Sequence, residues 1–172
     1  MTRATTRCGP SRPTIVSEWD LVVAVDDPRR ADAAALLQVH VEFAQGVTPA
    51  EHMHAVEADA LAGPDVTFMT ARRGGHLLGV GALKVARGHG ELKSMHVRSN
   101  ARGQGVAQAL LVELLAAAHG RNLSRVSLVT GPGPAFSPAR ALYDRAGFTR
   151  CQAFHPYTDT EESVFMTLEM RR

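Results

Sequence analysis

Residues 91–118 read ELKSMHVRSNARGQGVAQALLVELLAAA, and their reading decides the fold. Glu91–Val97 is too short for a helix and is bounded by Gly90 and the Arg98-Ser-Asn turn, which predicts a strand. Val106–Ala118 consists of strong helix formers with only Gln108 and Glu113 polar, which predicts a long helix buried on more than one side. Gly103 and Gly105 remove side chains from the junction. A helix start of that kind leaves backbone N–H groups open, and with the helix dipole it favours an anion. A P-loop would need Lys after its last glycine, and Gly103–Ala107 holds none. A dinucleotide fingerprint would need Gly or Ala where Gln108 stands, and would follow the first strand of a βαβ unit, whereas this loop lies past mid-chain.

A third pattern fits. Arg102-Gly103-Gln104-Gly105-Val106-Ala107 matches R/Q-x-x-G-x-G/A, the diphosphate-binding motif of the GNAT N-acetyltransferases. Downstream, Ala139-Arg-Ala-Leu-Tyr143-Asp-Arg-Ala-Gly147-Phe148 resembles that family's A-x-x-L-Y-x-x-x-G-F signature. The resemblance covers about residues 20–170 and departs from the family at Phe136, seven before the tyrosine, where an Asn that touches the cofactor is usual. It implies an α/β fold with a mixed, mostly antiparallel central sheet of about six to seven strands, flanked by about four helices.

The resemblance also implies roles. Acetyl-CoA would be the acyl donor, bound by Met95, His96 and Val97 and by Arg102, Gly103, Gln104, Gly105, Val106 and Ala107, with a backbone N–H of the first three steadying the oxyanion. Glu91, six before Val97, matches the family's frequent general base, acting directly or through water, and Tyr143 the acid that protonates the departing thiolate. The implied reaction is direct acetyl transfer in a ternary complex to an amine of a small molecule or a peptide. The alternative is a non-catalytic module that holds an acyl-CoA for sensing or assembly, which would not need both Glu91 and Tyr143.

The residues themselves add a second line of argument. Strict alternation places Glu91, Lys93, Met95 and Val97 on one face of the strand and Leu92, Ser94 and His96 on the other. A strand covered on both faces should be nearly all apolar, so Glu91 and Lys93 imply either a mutual pair or a face open to a cleft. Lys93 is a candidate for binding a substrate carboxylate. Of the eight histidines, His52 and His54 are wrongly spaced for a helical metal pair, His96 falls on the parity opposite Glu91, and none is assigned a metal. Cys151 has no basic cluster beside it and reads as inert.

Composition bounds the rest. A chain of 172 residues, 45% apolar and 21% charged, suits one globular domain. Setting aside residues 1–19 leaves 16 basic and 16 acidic residues, which disfavours nucleic acid as a partner. The chain has no run of 18 apolar residues and its start carries no apolar signal core, so neither a membrane span nor a secretory signal is expected. Two cysteines make no disulfide framework, and a cytoplasmic protein, with a homodimer as an option, is the expectation.

In chain order, residues 1–19 are Thr-, Arg-, Ser- and Pro-rich and are expected to be a disordered extension preceding a single domain over 20–172. Expected next are a strand at 21–25 and a helix from Arg29 to about Gln45. The capping box at Thr48–Glu51 opens a further helix to about Leu61. A hairpin of 66–72 and 77–85 precedes the 91–97 strand, and Gly120 ends the long helix in the C′ position. A strand over 124–130, a short helix from Ser137 to Gly147, and antiparallel strands at 148–154 and 163–169 close the chain.

Overall fold

The computed structural model describes residues 20–47 and 58–170. The proposed extension 1–19 and most of the helix expected after Thr48, including His52 and His54, lie outside the described residues. In order the elements are β1 (Val22–Val25), α1 (Ala31–Val47), β2 (Val66–Arg73), β3 (His76–Ala86), β4 (His89–Val97), α2 (Val106–Gly120), β5 (Arg125–Thr130), α3 (Ser137–Arg145), β6 (Thr149–Arg150) and β7 (Val164–Glu169). Ala58–Leu61, Ser99–Ala101 and Pro134–Phe136 are single 3-10 turns. Three α-helices, rather than about four, are thus present among the described residues.

The strands form one sheet in the order β1-β2-β3-β4-β5-β7-β6. Every neighbouring pair is antiparallel except β4 and β5. That parallel pair is what α2 makes possible, because a parallel return needs a crossover long enough to carry the chain back along the sheet.

Two cores cover the two faces. On one, Leu110, Leu111, Leu114 and Ala118 of α2 pack with Leu83, Leu92, Val126, Leu128 and Met166, and α3 adds Tyr143. On the other, Ala33, Leu36 and Leu37 of α1 pack with Phe68, Val80 and Ala82. The α2 side is set by two strand glycines. A Cβ on Gly81 would meet Met95 Sδ at 2.5 Å and Leu114 at 3.0 Å, and one on Gly79 would meet Val106 at 3.0 Å, so the helix lies close against β3. Truncating the fully buried Leu114 to Ala is expected to cost about 2–5 kcal/mol.

Several boundaries and faces differ from the sequence expectation. Helix α2 buries a single stripe, and Val112, 56% exposed, faces solvent, because among the described residues no second layer of structure covers its outer side. Gly120 is not the left-handed stop: the helix runs through it, and Asn122 takes φ +54 two residues later. Asn can do this because its short polar side chain tolerates that region. The strand expected over 148–154 is paired in register only at Thr149 and Arg150, and after a last backbone bond from Cys151 N–H to the Phe165 carbonyl, residues 152–163 leave the sheet as a loop.

Candidate active site

The site begins with an irregularity in β4. Val80 pairs with His96 and Ala82 with Lys93, so two steps along β3 match three along β4. The extra residue is accommodated at Ser94, whose φ of +52 lies in the left-handed region. The bulge overturns the simple alternation. Val80 and Ala82 both face α1, so their partners His96 and Lys93 face it too, together with Glu91. Met95 and Val97 instead turn to the α2 side with Leu92. His96 is therefore on the same face as Glu91, not opposite it. No local motif signals the bulge, since Ser is an uncommon choice for that backbone region.

A second irregularity opens the sheet. The ladder between β4 and β5 runs from His89↔Arg125 to Leu92↔Leu128 and stops. Beyond it the strands part, and a cavity of about 690 Å³ is lined by Lys93–Val97 on one side and Val129–Gly131 on the other. Its walls include Arg102, Gly103 and Gly105–Gln108, Tyr143 of α3, and His40 and Phe43 of α1. The sequence candidates Glu91, Lys93, Met95, His96, Val97, Arg102, Gly103, Gly105, Val106, Ala107 and Tyr143 thus converge on one cleft. Gln104 is not part of its lining. Its side chain accepts from Arg73 at 3.0 Å and donates to the Asn100 carbonyl at 2.9 Å, tying the loop to the β2–β3 hairpin.

At the loop, Gly103 and Gly105 have φ of +74 and +79, and a Cβ at either would meet nothing within 4 Å. Gly105 is the N-cap of α2 and supplies no side-chain cap to it. The first-turn N–H groups therefore face open space, a cradle that fits a diphosphate.

Glu91 and Lys93 form the pair that the sequence left open, and they also line the cleft. Lys93 Nζ donates to Glu91 Oε1 at 2.8 Å, with the side chains only 10% and 15% exposed. Tyr157, from the loop after β6, completes the cluster. Its hydroxyl donates to Glu91 Oε1 at 2.5 Å and accepts from Lys93 Nζ at 2.8 Å. Burial first, and then the Glu91 carboxylate, push the Tyr157 hydroxyl pKa far above its ordinary value, so it stays a donor. Phe154 and Phe165 hold its ring, with centroids 5.3 and 6.2 Å away. Sequence reasoning missed Tyr157 because its loop carries no periodicity.

Tyr143 is buried against Phe148, centroids 5.6 Å apart, and burial raises its pKa. Phe136, in place of the family's Asn, lies against Gly131, where an added Cβ would overlap its ring, and meets Phe43 edge-on at 5.4 Å. The residue thus joins the α3 side of the cleft to α1 through an aromatic contact instead of offering an amide to a cofactor. His40 and His96 also meet, with Nδ1 atoms 3.3 Å apart. Burial, and after it the charge of the partner histidine, bring the His40 pKa down to about 4, and burial followed by the Arg102 cation lowers that of His96. The Cys151 thiol is half-buried and pushed up chiefly by burial, as an inert cysteine should be. Among the described residues there is no group of three or more metal-ligating side chains, and no helix is long and apolar enough to cross a membrane.

Known proteins resemble the chain in both sequence and shape. The profile of the Acetyltransferase (GNAT) family matches residues 33–148. YsnE of Bacillus subtilis, described only as an uncharacterized N-acetyltransferase, is 36% identical over 149 residues, covering 86% of this chain and 99% of its own. The IAA acetyltransferase of Azospirillum brasilense is 32% identical over 150 residues, covering 86% of this chain and 96% of its own. A solved structure from Klebsiella pneumoniae, assigned as an acyl-CoA N-acyltransferase, superposes with a TM-score of 0.72 at 28% identity, covering 87% of this chain and 97% of that one. A cleft between parting strands, an uncapped glycine helix start at its mouth and these relatives agree: the chain belongs to the GNAT acetyltransferase family and is an N-acetyltransferase.

Proposed function

We propose that the protein transfers an acetyl group from acetyl-CoA to an amine of a small molecule, directly and within a ternary complex. The observation that carries this reading is the continuity of the cleft, from the open start of α2 past Tyr143 to the Glu91–Lys93 pair. In this reading the backbone N–H groups of Gly103–Ala107, with Arg102, hold the diphosphate of the donor, and Met95, His96 and Val97 line its thioester end. A backbone N–H of that β4 segment meets the oxyanion as it develops. Glu91 receives the incoming ammonium and takes its first proton, directly or through a water.

Tyr143 is the proposed donor to sulfur. Its raised pKa keeps it protonated at any working pH. The same desolvation raises the proton affinity of a thiolate expelled beside it, so burial does not by itself widen the gap between acid and base. Lys93 is the candidate contact for a second group on the acceptor. An acceptor with both ammonium and carboxylate can exchange with the existing pair without a change in net charge, ammonium on Glu91 and carboxylate on Lys93. One relative carries the name IAA acetyltransferase, and this chain's acceptor is not tied to that one.

A cytoplasmic setting accompanies this function, since acetyl-CoA is an intracellular donor, and a homodimer is compatible with it. The test is release of free thiol from acetyl-CoA across a panel of amines and amino acids. Turnover with any of them supports acetyl transfer. Tight acetyl-CoA binding without turnover on any amine would favour the non-catalytic acyl-CoA-binding module instead.

A further inference from the structure

Acetylation of an ammonium removes two protons from nitrogen and returns one to sulfur. The first must leave before nitrogen can attack. The second leaves after attack, when nitrogen carries a positive charge and its remaining N–H is acidic. Glu91, once protonated, cannot take both, and its Oε1 already accepts from Lys93 and Tyr157. The cleft therefore needs another proton acceptor on the Glu91 face.

His40 and His96 meet that need. The bulge at Ser94 turns His96 to the Glu91 side, α1 brings His40 against it, and both rings line the cavity. Their Nδ1 atoms lie 3.3 Å apart, with ring centroids at 5.3 Å and Phe43 6.2 Å from His96. Two neutral rings in this contact must share one hydrogen between the Nδ1 atoms. The ring that donates it leaves its own Nε2 bare, and the other ring carries its hydrogen on Nε2. Either tautomeric arrangement thus presents one basic nitrogen and one donor. Glu91 and Lys93 of β4 share the pair's face and the Arg102 cation acts on His96, while β3 sets Val80 opposite His96 and carries Lys84 further along the same face, and α1 carries Glu42 with its side chain exposed. Burial lowers both pKa values from the ordinary histidine range, that of His40 to about 4, so both rings are neutral and the bare nitrogen is present at pH 7 and above.

We propose that the His40–His96 pair accepts the second proton, a role that rests on the acetyl-transfer reading above. In that step the N–H bond of the tetrahedral adduct breaks and its electron pair stays on nitrogen, while the proton bonds to the bare Nε2. Collapse of the oxyanion then breaks the C–S bond, sulfur keeps the pair, and Tyr143 supplies its proton. Return of the enzyme groups to their starting states releases one proton to water, which balances the reaction.

The experiment compares wild type with His96→Asn and His40→Asn on an amine that wild type accepts. Asn places an amide near the Nδ1 position, where it can keep the contact with the other ring, but offers nothing at Nε2. In at least one variant kcat should fall by about 10²–10⁴-fold, with the KM for acetyl-CoA and the melting temperature near wild type. The loss should persist at alkaline pH, because the second proton leaves only after attack, whereas a Glu91→Gln defect should recover there. Imidazole added to His96→Ala should restore part of the rate. Both Asn variants within about threefold of wild-type kcat would overturn the proposal, since general-base loss is far larger. A histidine defect that recovers at high pH as Glu91→Gln does would overturn it too, by moving the pair to the first proton. Absence of turnover in wild type would instead defeat the acetyl-transfer reading itself.

Discussion

The hydroxyl of Tyr157 sits 2.5 Å from Glu91 Oε1, across 66 residues of sequence, and closes the loop after β6 onto the central strand. A buried hydrogen bond to a charged group contributes about 1.5–3 kcal/mol. Tyr157→Phe keeps the ring between Phe154 and Phe165 and removes the hydroxyl's bonds to Glu91 and Lys93. The variant should lose stability of that order in urea unfolding and raise the KM for the acceptor more than that for acetyl-CoA. An unchanged acceptor KM would mean that the loop plays no part in acceptor binding.

Gly105 tests the donor site. Its φ of +79 and the open space around it mean that Asp meets no neighbour, but brings backbone strain of about 1–2 kcal/mol and a negative charge to the cradle. Gly105→Asp should fold, with a lowered melting temperature, and lose acetyl-CoA binding in calorimetry. Undiminished affinity in a folded variant would remove the diphosphate from this loop.

Glu91 and Tyr143 should separate in a pH–rate profile. Glu91→Gln should slow turnover most at low pH and recover in part as solvent supplies free amine. Tyr143→Phe keeps the packing on Phe148 and should show a defect at every pH, one that shrinks with an acyl donor whose thiol is more acidic. Each loss is expected within about 10²–10⁴-fold. Near-normal turnover of Tyr143→Phe would leave the tyrosine a packing residue.

Ser94 offers a stability test of the bulge. Its backbone is left-handed, and its buried Oγ has no hydrogen-bond partner. Ser94→Gly relieves both, against a smaller entropic penalty, and should raise stability by about 1 kcal/mol with activity retained. A lowered melting temperature would show that the serine contributes something that this geometry does not contain.

What the sequence determined was local chemistry. Gly103 and Gly105 before an unbroken run of helix formers dictate the open start of α2, and the Tyr143–Phe148 spacing dictates a short helix ended at left-handed Gly147. Both follow from backbone preferences of neighbouring residues, so they are legible without a fold. The charges at Glu91 and Lys93 likewise announced a cleft or a pair, and the structure has both. What only the tertiary structure decided is which side chains meet. One extra residue at Ser94 turned His96 to the Glu91 face, and its cause is pairing with β3, a partner ending ten residues upstream of the bulge's far side. Tyr157 and His40 reach the site from a loop and a helix whose own patterns say nothing about β4. Contacts of that kind arise from how layers stack and where a ladder stops, here at Leu92↔Leu128, and no periodicity along one chain segment encodes them.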